Sequence, residues 1–191
     1  MLRNMIIKNR SYRRFVEDAR IESKTLESLV DLARLSATGG NKQALKFLIA
    51  NDVETNSRIF PSLAWAGYLT DWNGPAEGER PSAYIVILGD KEVAGDFGCD
   101  HGIAAQSMLL GAAERGLGGC MIGSIRRREL AESLSLEPRY EILLVLAIGT
   151  PAEEVVLEDV GSDGDIKYWR DSNGVHHVPK RSLAQLIVEA G

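Results

Sequence analysis

The chain is poor in the residues that metal, disulfide and nucleophile chemistry require. Only two cysteines, Cys99 and Cys120, occur in 191 residues, with no CxxC and no regular spacing. That argues against a disulfide framework and against a zinc or iron–sulfur site. The expectation is reduced thiols, mostly buried. The three histidines, His101, His176 and His177, do not pair with the cysteines at ligand spacing. His176 and His177 adjoin a turn and are expected to face solvent. Asp96, Cys99, Asp100 and His101 could surround a metal where a helix should start, but Asp in that place is ordinary capping, and capping is the expectation. No P-loop, GxSxG, HExxH or EF-hand pattern is present, and no nucleophile and base can be paired. Aromatic residues make up 6% of the chain, so few side chains are available to stack on a substrate. Nowhere do eighteen apolar residues run together, and the apolar run in MLRNMIIKNR is too short for a signal peptide. The protein is expected to be soluble and cytoplasmic.

Net charge is −5, yet residues 1–50 hold ten Lys and Arg against five Asp and Glu. Positive charge is therefore local. Broad nucleic-acid or anionic-membrane binding needs a long basic stripe, so neither is expected. A small anionic ligand suits the pattern better.

One compact domain is expected over residues 1–191. From Ser23 to Leu35, Leu26, Leu29, Val30 and Ala33 mark one face of an amphipathic helix. LKFLIA (45–50), AYIVILG (83–89) and EILLVLAIG (141–149) read as strands buried on both faces. Between the last two, residues 98–116 are apolar around most of the circumference from Ile103 to Ala113, as in a helix buried at a subunit interface. Further helices are expected near Arg126 to Leu134 and from Ser182 to Glu189. Strands and helices mix without strict βαβ alternation, which favours α+β. Residues 61–81 form a long Pro/Gly-bounded loop. The acidic stretch 151–179 ends in YWRDSNGVHHV, either a hairpin turning at Ser172 to Gly174 or an arm lying on a partner chain.

GLGGCMIG (116–123) follows a helix and enters an apolar segment, the reverse of a dinucleotide-binding G-x-G-x-x-G. Gly116 fits a helix C-cap, while Gly118 and Gly119 could let a flat ring approach the backbone. RSYRRF (10–15) offers guanidinium forks for phosphate oxygens, ATGGNKQ (37–43) adds Thr, Asn and Gln side chains with accessible amides, and PKRSLAQLI adds Lys180 and Arg181. With no acid–base machinery of its own, such a protein would orient a bound cofactor that carries the chemistry.

These motifs, in this order, resemble those of the nitroreductase family of FMN-dependent oxidoreductases. RSYRRF resembles R-S-x-R-x-[F/Y], and ARLSATGGNKQALKF (33–47) resembles A-x-x-A-P-S-x-x-N-x-Q-P-W-x-F. GIAAQSMLLGAAERGLGGCMIG resembles an interface helix leading to G-L-G-x-x-x-[I/M]-G. IGTP (148–151) and PKRSLAQLI complete the set. Ala37 and Ala44-Leu45 depart from the family's Pro and Pro-Trp, and Thr38 keeps the hydroxyl of its Ser.

The resemblance implies an α+β homodimer, a three-layer α/β/α sandwich around a mixed or antiparallel sheet, with C-terminal arms crossing between subunits and FMN at the interface. It implies that Arg10, Ser11 and Arg13 meet the FMN phosphate and ribityl chain, with Lys180 or Arg181 completing the phosphate site. Thr38, Asn41 and Gln43 would come from the other subunit. Met121, Ile122 and Gly123 would lie along the ring edge near N5, and Trp65, Tyr68 and Trp72 in the 61–81 loop would either form a substrate lid or pack on the core. Arg14 falls at a variable position and has no ligand role, only that of a solvated or structural charge. The implied activity is ping-pong transfer of hydride from NAD(P)H to a small acceptor such as a nitroaromatic or quinone, with no catalytic side chain. A dehalogenating or ring-reducing relative, and an electron-relay module with little turnover, are the alternatives.

Overall fold

The structure, a computed structural model, describes residues 2–189. Its central sheet comprises β1 (Leu45–Ala50), β2 (Ala83–Asp90), β3 (Gly118–Ile122) and β4 (Tyr140–Gly149). The order is β1-β2-β4-β3, and every neighbouring pair is antiparallel. The three apolar runs are β1, β2 and β4, and β2 is buried along its whole length. Alternation sorts its side chains: Ala83, Ile85 and Ile87 face one layer, Tyr84, Val86 and Leu88 the other. In β4 the register shifts, because Ile87 pairs with Leu144 and Leu88 with Ile142, which leaves Leu143 as an extra residue. Leu144, Leu146 and Ile148 therefore face the first layer, and Ile142, Val145 and Ala147 the second.

The first layer is α2 (Ser23–Leu35) with α4 (Asp100–Glu114), packed through Leu26, Leu29 and Ala33 against Ala105, Met108 and Ala112. Gly111 lets the two helices meet, since a Cβ there would stand 2.2 Å from Leu32 Cδ1. Short α1 (Leu2–Lys8) lies against α4. On the opposite face lie α3 (Val53–Ile59), a 3-10 turn at Phe60–Ser62 and α5 (Arg127–Ser133), which cover Ile59, Leu63, Trp65 and Leu130. The fold is thus α+β, with helices on both faces of a sheet. Among the described residues, no helix is long and apolar enough to cross a membrane.

A second sheet holds β5 (Val155–Asp159), β6 (Trp169–Arg170) and β7 (His176–Lys180) in the order β5-β7-β6. β5 runs parallel to β7, and β6 antiparallel to it. The hairpin joining β6 to β7 closes where its turn is expected: the Asp171 carboxylate accepts the N–H of Asn173 (2.9 Å) and of Val175 (2.8 Å), and Gly174 takes φ +82°.

The helix expected over Ser182 to Glu189 does not form. Only a 3-10 turn at Leu183–Gln185 is present, and Leu183, Leu186, Ile187 and Val188 are 61–91% exposed. Apolar spacing makes so short a helix only when a surface accepts its apolar face. The single chain offers these residues none.

Candidate functional site

RSYRRF runs along the edge strand of the central sheet. Ser11 sits in a parallel bridge with Gly119, and the Tyr12 N–H donates to the Gly119 carbonyl at 3.0 Å. Phe15, fully buried, anchors the segment over Gly149, where a Cβ would lie 2.7 Å from the ring. The glycines of GLGG have the same explanation. A Cβ on Gly118 would meet Tyr12 at 2.4 Å, and one on Gly119 would meet Leu109 at 2.5 Å. Their demand is internal packing. Gly116, at φ +74°, ends α4 as a C-cap should.

Arg10, Ser11 and Arg13 line a cavity of about 360 Å³ with Lys180, Gln106 and Met121. Arg10 donates to the Ile6 carbonyl at 2.6 Å, and its Nε has no partner. Arg13 donates to the Ser11 carbonyl and to His176 Nε2, both at 3.2 Å. Among the described residues no carboxylate pairs with the side chain of Arg10, Arg13 or Lys180. The nearby acid is committed elsewhere: Glu153, its side chain 1% exposed, accepts the backbone N–H of Arg13 and Arg14 and the Arg170 guanidinium at 2.9 Å. Arg14 pairs with Glu79 and so ties the segment to the 61–81 loop. It is a structural charge.

His176 overturns its expected exposure. It is 1% exposed, because β7 lays it between Arg13 and Tyr168. Burial first, then the positive charge of Arg13 and Arg170, pushes its pKa down to about 4. The ring is neutral, and since Arg13 can only donate, Nε2 accepts and the proton sits on Nδ1. His177 is only partly covered, stacked 4.0 Å from the Trp169 ring.

A second cavity, of about 210 Å³, adjoins the first and shares Arg13, Met121 and Tyr168 with it. Its walls include Trp65, Cys120, Ile122 and Gly123. Met121 is 37% exposed although its strand neighbours are buried, and space for a Cβ at Gly123 is open. Burial raises the Cys120 thiol pKa, so this group stays protonated. Trp65 packs into the core with its Nε1 unpartnered, held by Gly74 at φ +116°. Tyr68 reaches the site through Tyr168: the rings stand 4.9 Å apart, and the Tyr68 N–H donates to the Tyr168 hydroxyl at 3.3 Å. Trp72 lies under the Arg170 guanidinium, outside both cavities.

Thr38, Asn41 and Gln43 line neither cavity. They sit beside the start of α4, where the Gly39 N–H donates to Asp100 at 2.9 Å. Asp100 therefore serves that turn and does not cap its own helix as expected; α4 has no side-chain cap. Asn41 and Gln43 both hold φ +53° and the Thr38 hydroxyl is buried without a partner. Lys180, not Arg181, reaches the anion cavity. Cys99 is exposed and only Cys120 is buried, so half the expectation for the thiols fails. The reading from sequence missed Tyr168, His176 and Gln106. The only hint was the pair of aromatics, Tyr168 and Trp169, in an otherwise acidic stretch.

The profile of the nitroreductase family matches residues 6–68 and 82–150. A relative from Archaeoglobus fulgidus, provisionally named an NADH dehydrogenase/NAD(P)H nitroreductase, is 25% identical over 78% of this chain and 85% of its own. Two solved structures share the fold. A provisionally named nitroreductase from Exiguobacterium sibiricum in complex with FMN has a TM-score of 0.66 at 18% identity, covering 80% of this chain and 89% of its own. The NADPH:FMN oxidoreductase from Vibrio harveyi complexed with NAD+ has a TM-score of 0.61 at 21% identity, covering 78% and 68%.

Proposed function

This chain belongs to the nitroreductase family, and from that premise we propose an FMN-dependent oxidoreductase that takes hydride from NAD(P)H and passes it to a small acceptor such as a nitroaromatic or quinone. Turnover is ping-pong, and the working unit is a cytoplasmic homodimer with FMN at its interface. The observation that carries this reading is a set of cations without an anion. Arg10, Arg13 and Lys180 converge on one cavity, with the Arg10 Nε orphaned, and no carboxylate among the described residues neutralises them. A phosphate supplies what is missing. The adjoining cavity, bounded by Trp65, Met121, Ile122 and Gly123, suits an extended ring attached to that phosphate. The residues present fit FMN.

When bound, the flavin supplies hydride transfer, which no side chain here can perform. Arg10 and Arg13 hold the phosphate with Lys180, and Ser11 stands beside them. Neutral His176 fixes Arg13 without competing for the anion. Met121 and Tyr168 border the passage from phosphate to ring, and backbone N–H groups near Gly123 steady negative charge at the ring edge. Thr38, Asn41 and Gln43 reach the site from the second subunit, which agrees with their distance from both cavities in one chain. Cys120, protonated, takes no part.

Replacing Arg10 or Arg13 by Gln should weaken FMN far more than riboflavin, by about 1.5–3 kcal/mol for each charge-assisted pair lost. Equal losses for the two ligands would contradict the phosphate site. Anaerobic addition of NADH or NADPH to the yellow protein should bleach it. A yellow protein that neither nucleotide bleaches would favour an electron relay with little turnover.

A further inference from the structure

A third cavity, of about 500 Å³, shares no lining residue with the other two. It lies where the first residues of β2 meet the end of β1, α3 and the segment just before α2. Some of its polar walls are already satisfied. Asp52 caps α3 by accepting the Thr55 N–H at 2.8 Å, and Glu17 accepts the N–H of Gly78 and Arg80.

Other groups are left over. Asn56 is fixed by its Nδ2, which donates to the Ser82 carbonyl at 2.9 Å, so its Oδ1 is identified as an acceptor, and that atom is buried with no partner. Ser82 is 7% exposed, and its hydroxyl also has none. Arg80 Cζ stands over the Phe60 ring, 4.6 Å from its centre, with an orphaned Nε and, among the described residues, no ion pair. Tyr84, 1% exposed, closes the floor, and burial raises its phenol pKa far enough to keep it a donor. Buried polar groups of this kind are normally paired, and all three belong to residues that line this one space.

Their chemistry is specific. Arg80, Ser82 and Tyr84 present donors to one anionic group, as a carboxylate requires. Asn56 Oδ1 asks for a donor in return, and Asp18, which pairs with nothing among the described residues, adds negative charge on the same wall. Charge of both signs lines the space, Arg20 and Arg80 against Glu17, Asp18 and Asp52. Mixed charge favours a zwitterion over a polyanion, and Phe60 and Pro81 give its side chain an apolar wall. We propose that this cavity binds a free α-amino acid, its carboxylate on Arg80, Ser82 and Tyr84 and its ammonium on Asn56 and Asp18.

The test is calorimetric titration of the flavin-loaded protein with each of the common free amino acids. The best binder is then compared with its deaminated and decarboxylated analogues. At least one amino acid should bind with a Kd below about 1 mM, and Arg80→Gln and Tyr84→Phe should each weaken it roughly tenfold or more. Both analogues should bind more weakly than the parent. Binding that survives Arg80→Gln and Tyr84→Phe unchanged would overturn the site, as would no binding of any amino acid at about 10 mM. An undiminished deaminated analogue would overturn the zwitterion. Flavin retention, read from visible absorbance, confirms that each variant is folded.

Discussion

β2 is buried at every position from Ala83 to Asp90, whereas β6 and β7 bury only His176 fully. The central sheet is held by two apolar layers that close on it from both faces. The sheet over residues 155–180 has no such layer. It is held by Glu153 bridging Arg170 to the backbone of Arg13 and Arg14, by His177 between Glu158 and Asp171, and by Trp169 stacked on His177. One sheet resists water and the other negotiates with charge. The candidate site lies along the seam between them, β3 on one wall and Tyr168, His176 and Lys180 on the other, so the second sheet should set how well the first is used.

The contrast breaks most sharply in the core. Leu146→Ala, at a fully buried position, should cost about 2–5 kcal/mol through lost burial and the cavity left behind. Denaturant melts should show that loss equally at pH 7.5 and pH 5, to a first approximation. A loss confined to acid would mean the two sheets are not held differently. Glu153→Ala comes next, at about 3 kcal/mol, because it strands a mostly buried Arg170 and two backbone N–H groups. Hydrogen exchange should rise over residues 155–180 while β2 stays protected. Uniform loss of protection would show one cooperative unit instead.

pH sharpens the comparison further. Above about pH 6.5 His176 is neutral in folded and unfolded chains alike. Between about 6.5 and about 4 only the unfolded chain takes up the proton, so stability falls as pH falls through that window. His176→Gln should flatten that part of the melting-temperature profile, and an unchanged profile would remove His176 from the account. The smallest effect is expected at the rim. Glu158→Gln weakens a partly exposed contact with His177 and should cost about 0.5 kcal/mol by equilibrium melting.

What the sequence made legible follows the same division. Leu26, Leu29 and Ala33, and the apolar runs of β1, β2 and β4, announced their elements because burial imposes a period on the chain. The anion cavity was legible in Arg10, Ser11, Arg13 and Lys180 as residue types, and through a family resemblance as a set. Tyr168 and His176 were not, because polar contacts across long sequence separation leave no periodic trace. His176 looked like a turn histidine, and β7 buries it against Tyr168 and against Arg13, which is remote in sequence. Leu183, Leu186 and Ile187 erred the other way: their period is helical, yet period alone does not supply the surface that a helix must cover.

The three tryptophans stand at three depths of this seam. Trp65 walls the ring cavity, Trp72 lies beneath Arg170, and Trp169 rests on His177 in the second sheet. None belongs to the layer formed by α2 and α4. Intrinsic fluorescence of this chain is therefore a local instrument: it watches ligand arrival, the Glu153–Arg170 clasp and the packing of β7, and is nearly blind to the packing of the two longest helices. Single Trp→Phe substitutions would separate those three signals without a dye or a label.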